Sequence, residues 1–457
     1  MTVARSRARG AALAALVAVE EGAHLDRALR KSDFLAGKDA RERSLARRIA
    51  RGTLQMRGRI DWILERVLER GNPEDLDIRT RNLLRIGLYQ ILYLSSVPSR
   101  AAVHETVRAA REAGGEPASR LVNAVLRGVL REGVPEGAPS LEEDPAGHLS
   151  VALSCPRWLA ARWVSRLGVP ATASRLEAAN RTPPLSLRVV RDGDLDRVAR
   201  EIEKEGRKTR RSRISPSVLL LPDGGDPTVL RSFREGRVLV QDEGAALVGS
   251  LAGPLPRGAR VLDCCAAPGG KGLPIAASAP GGLLVAVDCS LWRMGRLREN
   301  LARLRLDNVR TAVADALNLP LREGTRFDAV LVDVPCTGLG TLARRADLRW
   351  RVREEDIARL AALALRLLRA VADAVEPGGL LLYSTCTTEP EENEETVARF
   401  LREDGRFRME PPEVQVPDGA LAPDGTVRVL PEIHGCEGAF AARLRRVRDG
   451  CARSVSH

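Results

Sequence analysis

At 457 residues the chain is too long for a single hydrophobic core and reads as two or three domains. A hydrophobic content of 44% is ordinary for a globular protein, and no apolar run approaches the ~20 residues of a membrane span, which excludes a helical membrane protein. The net charge of +12 points to a polyanionic partner, and eight cysteines without a Cys-x-x-Cys pair fit neither a disulfide framework nor a zinc site.

The basic excess sits at the front. Residues 1–140 carry 25 Lys and Arg against 17 Asp and Glu, residues 141–245 carry 18 against 15, and residues 246–457 carry 29 against 28. A basic appendage on a nearly neutral domain is the pattern of a nucleic-acid-binding protein. Only five cations are lysines, so arginine-rich composition accounts for part of the excess, and the same scarcity singles out Lys271. Met1 to Gly10 holds three arginines without a secretory cleavage context, and the chain reads as cytoplasmic, with reduced thiols and no metal.

From Ala4 to about Glu132 the apolar residues recur at helical spacing, as in Leu83-Leu84-Ile86-Gly87-Leu88-Ile91-Leu92. Residues 1–139 therefore read as an all-helical domain, with breaks at Gly71-Asn72-Pro73, Val97-Pro98 and Gly114-Gly115-Glu116-Pro117. Glu132 to Gly147 is a linker rich in Pro, Gly and acidic residues. Residues 140–245 then hold a helical segment from Cys155 to Asn180 and a small α/β unit. Its expected strands are Leu185–Val190, Val218–Leu221 and Val238–Gln241, with a helix over Leu195–Glu205. The cluster Arg207-Lys208-Thr209-Arg210-Arg211-Ser212-Arg213 is either a phosphate-binding loop or a solvated one.

Over residues 246–457 strands alternate with helices, which predicts a mostly parallel, Rossmann-like sheet covered on both faces. The strands are Arg260–Cys264, Leu283–Asp288, Val309–Ala314, Asp328–Asp333 and Gly379–Ser384, with Ala439–Leu444 as an antiparallel edge. The first strand runs into Cys265-Ala266-Ala267-Pro268-Gly269-Gly270-Lys271, small residues and paired glycines that let backbone sit against a ligand. It is not a P-loop, because Cys265 stands where the first Gly belongs and Gly272 where Ser or Thr should hold a metal.

Carboxylates close the next strands. Asp288 is placed to accept hydrogen bonds from both ribose hydroxyls of an adenosine, and Asp315 to meet its adenine edge. Asp333-Val334-Pro335-Cys336 ends the fourth strand and Thr385-Cys386 the fifth, so two thiols and a carboxylate should share one cleft.

Asp263–Lys271, Asp333–Cys336 with Thr337-Gly338-Leu339-Gly340, and Tyr383–Cys386 followed by Glu389–Asn393 resemble the motifs of the Sun-family RNA (cytosine-5-)-methyltransferases. Arg57–Trp62, Leu83–Gln90 and Leu121–Arg127 resemble a NusB-like RNA-binding domain, with Arg57, Arg59 and Arg127 as candidates for phosphate contact. The combination narrows the resemblance to members acting on 16S ribosomal RNA. It implies a class I S-adenosylmethionine-dependent methyltransferase fold, with the cofactor held by Cys265, Ala266, Ala267, Pro268, Gly269, Gly270, Lys271, Asp288, Asp315 and Asp333.

Carbon 5 of cytosine is a poor nucleophile until another nucleophile adds at carbon 6, and a thiolate suits that step. The resemblance implies Cys386 as nucleophile and Cys336 as the residue that assists product release. It implies Asp333 as the partner of the base, and Lys271 as support for that carboxylate or the cofactor. Gly272, where Thr is commoner, and the missing second aromatic in Gly435–Phe440 depart from the family pattern. Competing readings are a tRNA cytosine-5 methyltransferase, an amino-methylating enzyme, or an RNA-binding assembly or antitermination factor with an inactive methyltransferase domain. Retention of all four groups argues against the last, and the thiol at Cys336, where an aromatic would stack a base, argues against the second.

Overall fold

The computed structural model describes residues 7–31, 40–68, 72–191, 193–279 and 281–448. Gly71 and Cys451 lie outside them. The chain divides into two compact units, residues 1–181 with 345–352, and residues 182–344 with 353–457. Among the described residues no helix is long and apolar enough to cross a membrane.

The first unit is helical, as its spacing predicts. Asp77 starts the helix Ile78–Tyr93 by accepting from the backbone N–H groups of Arg79 and Thr80 at 3.0 and 3.1 Å. That helix is buried along nearly its whole length, and one of its buried residues is a cation. Arg85 is 1% exposed and is compensated by Glu20 at 2.5 Å and Asp61 at 2.6 Å. Burial opposes its charge, but the surrounding carboxylates prevail and raise its pKa further. The expected break near Gly114 is a kink: helical residues run from Ser99 to Glu132, with Gly115 at φ 73° and Pro117 just beyond.

Helices Pro145–Ala152, Arg157–Leu167 and Val169–Asn180 complete this unit, together with the distant segment Arg345–Val352. Ala346 and Trp350 join its core. Trp350 donates its indole N–H to the Leu54 carbonyl at 2.6 Å, and Arg57 lies over its ring. Arg349 is 1% exposed and donates to the carbonyls of Ser154 at 2.8 Å and Ala179 at 3.1 Å and to Asn180 Oδ1 at 2.9 Å. Its burial pushes it down to about 10. Arg349 is thus committed to the protein interior, and Arg57 is half-buried and bonded to Asp61 at 3.3 Å. Arg127 is exposed.

The second unit contains two sheets. β1 (Leu185–Val189), β2 (Arg210–Arg211), β3 (Val218–Leu221) and β4 (Val238–Val240) form an antiparallel sheet in the order β2-β3-β1-β4. The helix Leu195–Lys204 buries Val198 and Ile202 in the same cluster as Leu187, Leu219 and Leu221. The basic cluster expected as a loop contributes β2, and Arg211 is paired with Asp196.

The larger sheet holds β5 (Arg260–Cys264), β6 (Leu283–Asp288), β7 (Val309–Val313), β8 (Phe327–Asp333), β9 (Val375–Thr385), β10 (Phe407–Met409), β11 (Val427–Val429) and β12 (Ala439–Arg446). Its order is β10-β12-β9-β8-β5-β6-β7, with β11 also pairing β12. β5 to β9 are mutually parallel, and the order reverses beside β5, which has β6 on one side and β8 on the other. The crevice beyond the carboxyl ends of β5 and β8 is therefore the ligand position of this fold. β12 is antiparallel as expected but is not an edge: β9 flanks it on one side and β10 and β11 pair with it on the other. Its burial at Phe440, Ala441, Ala442 and Leu444 is that of an interior strand.

Candidate active site

The glycine loop leaves β5 through Cys265, a non-glycine residue at φ 60°. The Ala266 N–H returns to the Val287 carbonyl at 3.0 Å, and the Gly269 N–H closes a turn on the Ala266 carbonyl at 2.7 Å. Gly269 has φ 95°, and a Cβ there would fall 2.6 Å from Leu273 Cδ1. A Cβ on Gly270 would meet Gln241 Nε2 at 2.9 Å, and one on Gly272 would meet Asp263 Oδ2 at 2.3 Å. A side chain at position 272 would need the buried Asp263 carboxylate to shift, and Gly272 avoids that contact.

Two residues outside the quoted motifs support the loop. Arg188 on β1, itself buried, donates to Gln241 Oε1 at 3.2 Å and to the Gly270 carbonyl at 3.3 Å. No local sequence signal marks either residue, because their contact with the loop is made only in the folded chain.

Asp288 ends β6 with a fully buried side chain. It accepts from the N–H groups of Ala267 at 3.2 Å and Ser290 at 2.8 Å, and it pairs with Arg293 at 3.0 Å. Asp315 is exposed and accepts from the Leu317 N–H at 2.9 Å. The loop and these two carboxylates occupy the successive strand ends expected of them.

Asp333 ends β8 opposite Ser384 of β9. The Ser384 hydroxyl donates to its Oδ1 at 2.7 Å, and Lys271 Nζ lies 2.6 Å from its Oδ2. Burial works against the charge of Lys271, but Asp333, Cys386 and Asp263 outweigh it and raise its pKa. Asp263 is pushed up to about 7, first by burial and then by the Asp333 charge. Lys271 thus stays a cation beside one firmly held carboxylate.

Cys336 and Cys386 meet with their Sγ atoms 3.4 Å apart, and the Cys386 N–H points at Cys336 Sγ at 3.4 Å. Both are half-buried thiols. The hydrogen bond to Cys386 and burial push Cys336 well above the usual thiol range, and Cys386 lies within electrostatic reach of Lys271. Burial pushes Cys265 up to about 12 and Cys264 well above the usual thiol range, so neither is a thiolate. Cys289 is exposed beside the loop.

Arg344 is held within this unit by the Pro184 carbonyl at 2.8 Å, Ser186 Oγ at 3.1 Å and Glu437 at 3.3 Å. The structure thus gathers Lys271, Asp333, Cys336 and Cys386 into one crevice, with the glycine loop and Asp288 at its side. It adds Asp263, Ser384, Arg188 and Gln241 as their supports.

The chain's similarities agree with this layout. Residues 254–445 match the model of the 16S rRNA methyltransferase RsmB/F family, residues 6–131 the NusB family, and residues 155–226 the ferredoxin-like domain of RsmF/B-like methyltransferases. The probable ribosomal RNA small subunit methyltransferase B of Bacillus subtilis is 31% identical over 452 residues, 97% of this chain and 99% of the relative. The ribosomal RNA small subunit methyltransferase B of Pseudomonas putida is 34% identical over 415 residues, 90% of this chain and 92% of that one. Among solved structures, the crystal structure of PH0851 superposes with a TM-score of 0.82 at 26% identity, covering 98% of this chain and all of the other. A methyltransferase homolog from Pyrococcus horikoshii matches with a TM-score of 0.57 at 26% identity, over 67% of this chain and all of its own. With a full-length relative above 30% identity and three family models in the same order along the sequence, the chain belongs to the ribosomal RNA small subunit methyltransferase B family.

Proposed function

We propose that this protein methylates carbon 5 of a cytosine in 16S ribosomal RNA through a covalent cysteine–cytosine adduct. The observation that carries the reading is the pair of thiols 3.4 Å apart beside the Lys271–Asp333 ion pair. The names of the relatives support small-subunit ribosomal RNA as the substrate. The NusB-like front of the chain would recruit it, with Arg120 and Arg127 exposed on the helix Ser99–Glu132.

The residues present fit S-adenosylmethionine. At Gly269 and Gly270 a Cβ would run into Leu273 and Gln241, so the loop presents bare backbone, and Cys265 to Lys271, Asp288, Asp315 and Asp333 stand at the strand ends where this fold takes its ligand. An adenosine ribose at Asp288 would take over the contact now made by Arg293, whose side chain is 42% exposed. When bound, S-adenosylmethionine supplies the methyl group.

Cys386 adds as thiolate to carbon 6, and the Lys271 cation favours the ionised sulfur. Asp333, held by Lys271 and Ser384, accepts hydrogen bonds from the base as charge develops there. After methylation, elimination must remove the carbon 5 proton and break the carbon 6–sulfur bond, returning the electron pair to Cys386. Cys336 is the adjacent base. Once Cys386 is bonded to the ring, its sulfur can no longer carry the negative charge that opposes ionisation of Cys336. Cys336 then becomes easier to ionise at the stage where a base is needed.

Cys386→Ala should abolish methyl transfer to 16S ribosomal RNA, and unchanged turnover would overturn the assigned nucleophile. Bisulfite mapping of ribosomal and transfer RNA from cells with and without the gene tests the substrate. A gene-dependent site found only in transfer RNA would overturn that part.

A further inference from the structure

Glu392 belongs to none of the roles above, yet it is 1% exposed and its carboxylate reaches the residue next to Cys336. It lies in the turn Pro390–Glu392, which follows Cys386 in sequence. Its Oε1 accepts the Thr337 N–H at 2.7 Å and its Oε2 accepts the Thr337 hydroxyl at 2.5 Å. Thr337 Oγ1 also lies 2.8 Å from Thr387 Oγ1, one residue past Cys386. The Tyr383 hydroxyl donates to the Glu392 carbonyl, and Asn393, next in sequence, bonds the Thr385 hydroxyl at 2.6 Å and the Thr387 carbonyl at 3.1 Å.

We infer that Glu392 is a positioning residue that clamps the Cys336 loop to the end of β9 and so sets Cys336 against the Cys386 adduct for elimination. The inference rests on the cytosine-5 reading proposed above. A buried carboxylate is costly, and here burial pushes Glu392 up to about 7 while its oxygens are engaged by Thr337 and Thr387. Its bonds tie the two cysteine loops directly to each other, without passing through Asp333 or the glycine loop. Loss of the clamp should therefore affect the step that needs both sulfurs more than RNA binding.

The test compares Glu392→Ala, Thr337→Val and Thr337→Ser with the wild type, using 16S ribosomal RNA from cells lacking the gene and labelled S-adenosylmethionine. Expected for the first two is a fall in kcat of about tenfold with KM for RNA changed about twofold or less, and methylated RNA retained in a denaturant-stable protein adduct. Thr337→Ser, which keeps the hydroxyl, should release product as the wild type does. Wild-type release by folded Thr337→Val overturns the inference, and this variant decides the matter if Glu392→Ala does not fold. Cys336→Ala run in parallel separates the two layers. If it fails to trap adduct, the role given to Cys336 is wrong; if it traps adduct and Thr337→Val does not, only the clamp is wrong.

Discussion

Asp263 is 2% exposed, and its carboxyl is pushed up to about 7, by burial first and by the charge of Asp333 next. In the unfolded chain the same group titrates near ~3.9. Between these values the native state holds a proton that the unfolded state has released. Stability through this group is therefore fully present below about pH 4 and is lost as pH rises toward 7, at ~1.4 kcal/mol per unit. From pH 5 to pH 8 the loss is about 3 kcal/mol. Asp263→Asn cannot ionise, and its Oδ1 can still accept the backbone N–H of Gly272 that the carboxylate accepts now. Urea unfolding of both proteins at pH 5 and pH 8 should show the variant gaining about 3 kcal/mol on the wild type between the two conditions. Glu392, raised to about 7 mainly by burial, changes stability in the same direction but equally in both proteins, so it cancels. A gap that stays constant within about 0.5 kcal/mol would refute the assignment of a neutral buried Asp263.

Three further outcomes are expected. Diamide should join Cys336 to Cys386, read as a cross-linked peptide pair two hydrogens lighter, since sulfurs 3.4 Å apart need little movement to bond; the absence of that pair would contradict their proximity. Gly269→Ala, with φ 95° and a Cβ 2.6 Å from Leu273 Cδ1, should weaken S-adenosylmethionine binding about tenfold or more by calorimetry. An unchanged Kd would mean that the loop does not need this backbone shape. Arg349→Ala leaves the Ser154 and Ala179 carbonyls and Asn180 Oδ1 without their donor and should cost about 2–4 kcal/mol in thermal or urea melts.

The parallel strands were legible because each is a short apolar run stopped by Asp, Cys or Gly. β5 and β6 fall on the expected bounds. β9 was foreshortened: Pro377-Gly378-Gly379 reads as a turn, but a register shift against β8 lets the strand begin at Val375. β2 carries two arginines and no alternation, and only its pairing with Leu219 and Leu220 makes it a strand. β12 was expected at an edge because nothing local announces that Phe407–Met409 comes back to pair with it. In the crevice, the motif residues announced themselves by chemical type. Arg188 and Gln241 did not, since they reach Gly270 only through the folded chain. Glu392 falls within the quoted motif Glu389–Asn393, but its burial beside Thr337 is invisible along the sequence.

The passage of residues 345–352 into the helical unit has a practical corollary for anyone dividing this protein. A gene truncated after Arg181 would encode every long helix of that unit yet lack the Trp350 ring beneath Arg57 and the guanidinium that binds Ser154, Ala179 and Asn180. Such a fragment should be poorly soluble or partly unfolded. A chimera that exchanges the helical unit between relatives must carry this eight-residue segment along with it, or the graft will lack those core contacts.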